Sequence, residues 1–243
     1  MNPNHVRHIS RLLIANRGEI AIRIMRAATE LNITTVAIYT YEDRYSLHRY
    51  KADESYQIGR SDDPLKPYLD VEEIILLAKH KKIDAIHPGY GFLSENVILA
   101  RRCREEGMIF VGPSPESMEA LGDKVKAKNL ASRAGIPMIP DSRAALDDYA
   151  FALSEADRIG FPVMIKAVAG GGGRGMRVVK ERSQFERAFY DARNEAKNAF
   201  GDDTVFLEKF IAGPKHIEVQ LLGDHYGNLV HLYERDCSEQ RRF

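Results

Sequence analysis

The sequence predicts an α/β fold, with a parallel sheet in its first half and a smaller unit built on a glycine hairpin after it. Three observations carry that expectation. From Leu12 to Val111, short apolar runs alternate with segments whose apolar residues recur at helical spacing, and strands alternating with helices make parallel sheets covered on both faces. A boundary then falls at Ala134-Gly135-Ile136-Pro137-Met138-Ile139-Pro140, where a glycine and two prolines interrupt the pattern. Beyond it, two apolar runs, Phe161 to Ala167 and Met176 to Val179, flank five glycines in six residues, which reads as strand, tight loop, strand.

The elements follow in order. Leu12 to Ala15 is a short strand, Asn16-Arg17-Gly18-Glu19 a turn, and Ile20, Ile24, Ala27, Ala28 and Leu31 mark a helix face. Thr35 to Tyr39 gives a second strand, followed by a polar segment through Lys51-Ala52-Asp53-Glu54. Val71 to His80 reads as a helix, Asp84 to His87 as a strand, Ser94 to Glu106 as a helix and Met108 to Val111 as a strand. The run His87-Pro88-Gly89-Tyr90-Gly91-Phe92-Leu93-Ser94-Glu95-Asn96 sits at the carboxyl end of a strand, where such sheets place functional loops. Its glycines and proline suit a purely structural turn equally well. Helical segments divided at Leu121-Gly122-Asp123-Lys124 follow, then helices over Ala145 to Ile159 and Ser183 to Ala199 on either side of the hairpin. Thr204 to Ile211 is a strand, and His216 to Asp224 with Asn228 to Glu234 forms an antiparallel pair opening a third unit.

Composition limits what such a chain does. Lysine plus arginine and aspartate plus glutamate both number 35, a formal net charge of +0, so no global field recruits nucleic acid or an anionic membrane. Cys103 and Cys237 form no disulfide or zinc pattern. The apolar run after the N-terminus is too short for a signal segment or a membrane span, and the expected location is the cytoplasm.

Glycines lack a Cβ, so consecutive N–H groups in a glycine loop can approach a polyanion closely. Gly170, Gly172 and Gly175 satisfy G-x-G-x-x-G, but the dinucleotide fingerprint needs a helix directly after the loop, and Met176-Arg177-Val178-Val179 reads as a strand. A P-loop needs a Gly-Lys pair, which is absent from the sequence. A kinase loop travels with H-R-D and D-F-G, also absent. What remains is a phosphate cover with Lys166 and Arg174 beside it, set against a glycine hairpin that binds nothing.

Taken together, Ala15 to Ala21, His87 to Asn96, Gly122-Asp123-Lys124, Lys166 to Arg177, His216-Ile217-Glu218-Val219-Gln220 and Glu234-Arg235-Asp236-Cys237-Ser238 resemble, in order and spacing, the biotin carboxylase component of biotin-dependent carboxylases. His48 to Glu54 and the four-glycine run before Arg174 are more similar to the pyruvate carboxylase branch than to the acetyl-CoA or propionyl-CoA enzymes. Carbamoyl-phosphate synthetase, another ATP-grasp ligase, shares the Glu-Arg-Asp-Cys-Ser run. Tyr50-Lys51-Ala52-Asp53 and the His87 to Asn96 run favour the carboxylase.

The resemblance implies an ATP-grasp fold: a Rossmann-like N-terminal domain over 1–113, a helical linker over 114–137, a lid with the glycine-rich loop over 138–203, and the first strands of the C-terminal half over 204–243. It implies ATP, Mg2+ and biotin as cofactors and bicarbonate as substrate. The implied partners are a biotin carrier domain, a carboxyltransferase and a second copy of the chain, with neither nucleic acid nor membrane. Lys124 and Lys166 match lysines that reach the nucleotide phosphates. Gly170, Gly171, Gly172, Gly173 and Gly175, with Met176, match the lid loop. Glu208 and the backbone of Lys209 and Ile211 match the strand that reads the adenine edge. His216 and Gln240 match residues facing the ribose and phosphates, and with the two lysines they make up the implied catalytic set. Phe243 stands where the family has a nucleotide-contacting histidine, and Val168 where small residues are usual. By the same resemblance no metal ligand falls within the sequence: the metal-binding glutamates and the arginine serving bicarbonate and biotin are expected beyond residue 243. The chain by itself is then expected not to cleave ATP, and a non-catalytic nucleotide-binding module is the alternative reading.

Overall fold

The computed structural model describes residues 7–59, 63–122, 124–142, 144–168, 176–224 and 226–239, without the side chains of Lys124, Val125 and Phe200. The chain divides into two units, Met1–Ile136 and Pro137–Phe243.

In the first unit, β1 (Arg11–Ile14), β2 (Thr34–Tyr39), β3 (Glu54–Gln57), β4 (Ala85–His87) and β5 (Ile109–Phe110) form one sheet in the order β3-β2-β1-β4-β5. Every pairing is parallel. Alternation along a strand sends neighbouring side chains to opposite faces, and β1 shows it: Leu13 joins one buried cluster while Leu12 and Ile14 join another. The Leu12 and Ile14 face is covered by α1 (Gly18–Glu30) through Ala21, Met25 and Ala28. The Leu13 face is covered by α3 (Val71–His80) and α4 (Val97–Glu105) through Ile74, Ile75, Ala78, Leu99 and Cys103, beyond the short α2 (Leu47–Lys51). Because α1 and α3 lie on opposite faces, strand order reverses between β1 and β4, and the crevice at their carboxyl ends is a topological switch point. Two further helices, α5 (Pro115–Gly122) and α6 (Lys124–Arg133), complete this unit.

The second unit holds β6 (Val163–Ala167), β7 (Met176–Val179) and β8 (Val205–Lys209) in the order β7-β6-β8, all antiparallel. Val163, Ile165, Val179, Val205 and Leu207 form one buried face. Against it pack α7 (Tyr149–Ile159) and α8 (Phe185–Phe200), which bring Ala152, Ala156, Phe185, Phe189 and Ala192. A separate antiparallel pair, β9 (Ile217–Gly223) and β10 (Leu229–Asp236), carries exposed Leu221, Leu222, Leu229 and Leu232.

Four features differ from the sequence expectation. The polar segment before Glu54 contains α2, and a strand, β3, follows at the sheet edge; among the described residues it pairs only with β2, so apolar residues were not needed to hold it. The helix expected from Ser94 begins at Val97, because the Asn96 side chain accepts from Leu99 N at 2.9 Å and caps it there. The helix expected from Ala145 begins at Tyr149: Leu146 N instead donates to Val205 O at 2.7 Å, and Asp148 caps the first turn. Finally, the Thr204 to Ile211 strand, expected to begin a further unit, is β8 and pairs along β6.

Candidate functional site

Two surfaces carry chemistry, one in each unit. In the first unit, the β1–α1 turn and the loop after β4 meet at the switch point around a pocket of about 410 Å3 lined by Asn16, Arg17, Glu19, Asp43, Tyr90 and Phe92 among others. Asn16 is fully buried and holds both loops. Its Nδ2 donates to Pro88 O at 2.7 Å and Tyr90 O at 2.9 Å, and its Oδ1 accepts from Arg17 N at 2.9 Å. Gly89 lies against it with φ +67°, where a Cβ would come within 2.6 Å of Ile20 Cγ2 and 2.8 Å of Asn16 Nδ2. Only glycine accepts both that backbone conformation and that approach.

Asp43 gathers the charged wall of the pocket. Arg17 Nη1 donates to it at 3.1 Å, the Tyr68 hydroxyl at 2.8 Å and the Ser46 hydroxyl at 2.9 Å. Burial pushes the Asp43 carboxyl up, but these hydrogen bonds outweigh it and hold the group below the usual carboxylate range. Burial, then the bond to Asp43, pushes the Tyr68 phenol well above its ordinary value. Tyr68 stacks on Phe92 at 5.1 Å, so the carboxylate and the aromatic wall are one structure.

A buried imidazole, His48, and a half-buried one, His87, brace the same loops. His48 Nδ1 accepts from Gly18 N at 3.3 Å while Nε2 donates to Ile38 O at 3.2 Å; His87 Nδ1 accepts from Gly89 N at 3.0 Å. Burial lowers both pKa values, which matches rings that accept a backbone N–H and so stay neutral.

The second surface is the face of the β7-β6-β8 sheet opposite the one on which α7 and α8 pack. Lys166 lies opposite Met176 on β7 and Phe206 on β8, and Met164 opposite Val178 and Glu208. Directly opposed residues share a face, so these six residues form one surface, away from the helices. At its centre the Lys166 ammonium donates to the Glu208 carboxylate. A salt bridge flanked by two methionines, a valine and a phenylalanine can take a flat apolar ring at its sides and an anion at the lysine.

Of the residues expected from the sequence, Lys166, Met176 and Glu208 thus come together. Lys209 directs its ammonium elsewhere, to Gly160 O at 2.7 Å and Phe161 O at 2.9 Å, and its N–H donates to Pro140 O at 2.8 Å. Ile211 follows β8 and is exposed. His216 precedes β9, its N–H donating to Ser238 Oγ at 3.0 Å and its carbonyl accepting from Cys237 N at 2.7 Å. Lys124 opens α6. Gly170 to Gly173, Arg174, Gly175, Gln240 and Phe243 lie outside the described residues. Val168, flagged as a departure, is exposed and donates its N–H to Thr204 O at 2.9 Å. Among the described residues no group of three or more His, Cys, Asp or Glu is placed to hold a metal ion, and no helix is long and apolar enough to cross a membrane. Sequence reasoning missed the roles of Asn16, Asp43 and Tyr68; the only available signal was that Asn16 and the His87 to Asn96 run both belong to motifs at strand ends.

Comparison with known proteins accounts for both units. Residues 8–118 match the biotin carboxylase N-terminal domain, and residues 123–243 match the ATP-binding domain of the carbamoyl-phosphate synthase L chain. With the parallel sheet and the helix-backed hairpin sheet, these matches define the class: a biotin carboxylase N-terminal domain followed by an ATP-binding domain. More particularly, it is 56% identical over 237 residues to pyruvate carboxylase of Staphylococcus aureus (98% of this chain, 21% of that protein) and 57% identical over 234 residues to pyruvate carboxylase of Bacillus subtilis (96% and 20%). The chain spans about a fifth of the length of these relatives. Among solved structures, the biotin carboxylase domain of a thermophilic 2-oxoglutarate carboxylase bound to bicarbonate superposes with a TM-score of 0.88 at 46% identity, covering 97% of this chain and 51% of that one. The corresponding Hydrogenobacter thermophilus domain dimer, in complex with MgADP, ADP and bicarbonate, gives 0.78 at 49% identity, covering 98% and 52%.

Proposed function

We propose that this chain supplies the N-terminal domain and nucleotide lid of an ATP-dependent biotin carboxylase working within a pyruvate carboxylase. The observation that carries the reading is the face of the β7-β6-β8 sheet away from its helices, where a lysine paired with a carboxylate lies among apolar side chains directly before the glycine run. On this reading the adenine lies on that face, recognised by Glu208 and by the backbone of Lys209 and Ile211. Lys166 and Lys124 meet the phosphates, Gly170 to Gly173, Gly175 and Met176 close over them, and His216 and Gln240 face the ribose and phosphates.

Bicarbonate attacks the γ-phosphorus, ADP leaves, and carboxyphosphate forms. Carboxyphosphate splits into CO2 and phosphate, and the CO2 is captured by the ureido nitrogen of biotin, the carboxyl acceptor, as its N–H proton passes to the released phosphate. The lysine ammonium contributes fixed positive charge where the transferred phosphoryl group spreads its negative charge. Magnesium accompanies nucleotides in such reactions, but the described residues present no ligand set for it, and no step here runs through it. The solved relatives with MgADP and bicarbonate support the same substrates for this chain, and the described dimer supports pairing with a second copy. A carrier domain presenting biotin, a carboxyltransferase passing the carboxyl group to pyruvate, and a cytoplasmic location complete the reading.

The test is a chimera in which this chain replaces the matching 237 residues of the Staphylococcus aureus pyruvate carboxylase. It is expected to release phosphate from ATP in a bicarbonate-dependent manner, and Lys166→Gln is expected to lower kcat about 10^2–10^3-fold, as loss of a preorganised donor does. Undiminished turnover after the substitution removes Lys166 from the reaction.

A further inference from the structure

The Lys166–Glu208 pair joins two residues to which the family resemblance gives opposite ends of a nucleotide. Register sets Lys166 against Phe206 and Glu208 against Met164, so the two charged residues are diagonal neighbours on one face of adjacent strands, within reach of long side chains. Their side chains are 27% and 16% exposed. Sheltered to that degree, the pair is less screened than a surface ion pair, whose worth is small. A lysine carries three donors on a flexible four-carbon stem. One donor spent on Glu208 leaves two that can meet phosphate oxygens, and the stem no longer has to be ordered when the anion arrives.

We propose that Glu208 is a positioning residue for Lys166. Its carboxylate holds the ammonium on this face before the nucleotide binds, so that recognition of the base and contact with the phosphates are coupled through one side chain. The proposal rests on the reading of this face as a nucleotide site, and adds to it a second task for a residue otherwise assigned to adenine alone. The opposite physical outcome is well defined: a carboxylate beside an ammonium also lowers the positive potential offered to phosphate, and were that its main effect, removing it would tighten ATP.

Dissociation constants for ATP and for adenosine, measured calorimetrically on the 243-residue chain, separate these cases. Glu208→Gln is expected to weaken ATP about tenfold and adenosine less than about threefold. Added to Lys166→Gln, it is expected to weaken ATP by no more than about twofold, because the residue it positions is already gone. Glu208→Asp, which keeps the carboxylate on a shorter arm, restores part of the ATP affinity. Should Glu208→Gln fail to fold, Glu208→Asp alone gives the test, with a loss confined to ATP. Equal losses for ATP and adenosine, additivity with Lys166→Gln, or tighter ATP in Glu208→Gln each overturn the positioning role and leave the nucleotide reading standing. A wild-type chain that binds neither ligand overturns that reading and the proposal with it.

Discussion

Asn16 shows how much of the first unit depends on one amide. Both its donors and its acceptor are engaged across the β1–α1 turn and the loop after β4, so Asn16→Ala leaves the buried Pro88 carbonyl unpaired and is expected to cost about 1–3 kcal/mol. The midpoint of urea unfolding reads this directly, and an unchanged midpoint contradicts it. His48 and His87 add a pH dependence. Both are held below the ordinary value of 6.5, chiefly by burial, with Asp43 raising and Arg17 lowering His48. Near pH 6.5 the unfolded chain takes up protons that the native state refuses, so stability rises with pH in this window. That contribution is complete above about 6.5 and is lost as pH falls toward the folded values. Replacing His48 with Gln is expected to flatten the decline in stability between pH 7 and pH 5, and a wild-type slope in the variant contradicts it. None of these roles was legible in the sequence, since Asn16 meets partners 72 and 74 residues away.

Elements were more legible than contacts. The strands buried on both faces, β1, β2 and β4, are short apolar runs, and their pattern alone located them. β3 escaped because Glu54, Ser55, Tyr56 and Gln57 make an edge strand with a single neighbour among the described residues and with polar ties such as Arg11 Nη1 to Glu54 at 2.8 Å. The start of α7 was misplaced because helical spacing continues into Leu146, whose backbone is committed to Val205 instead. Lys209 explains part of what holds β8 in the hairpin sheet: its ammonium meets the carbonyls of Gly160 and Phe161 just past the end of α7, where helix carbonyls carry partial negative charge. Replacing it with methionine keeps the stem and removes the charge. The expected cost is toward the lower end of about 1.5–3 kcal/mol, because the side chain is partly exposed, and an unaltered thermal midpoint contradicts that.

At the scale of the whole molecule, the chain brings a switch-point pocket in one unit and a hairpin-sheet face in the other, and the proposed function puts the nucleotide on the second. Lys166 and Glu208 were both singled out in the sequence, yet their pairing was not, because only the register of β6 against β8 brings together residues 42 positions apart. The sequence holds seven methionines, and they report where ATP settles. Met164 and Met176 lie on the hairpin-sheet face, whereas Met25, Met108 and Met118 are buried in the first unit. With the methionine methyl groups labelled with carbon-13, titration with MgATP is expected to shift the Met164 and Met176 resonances saturably and leave those of Met25, Met108 and Met118 in place, and Lys166→Gln is expected to move the titration to higher nucleotide concentration. Shifts confined to the first-unit methionines, or a titration that leaves Met164 and Met176 unmoved, would contradict the assignment of the nucleotide to this face.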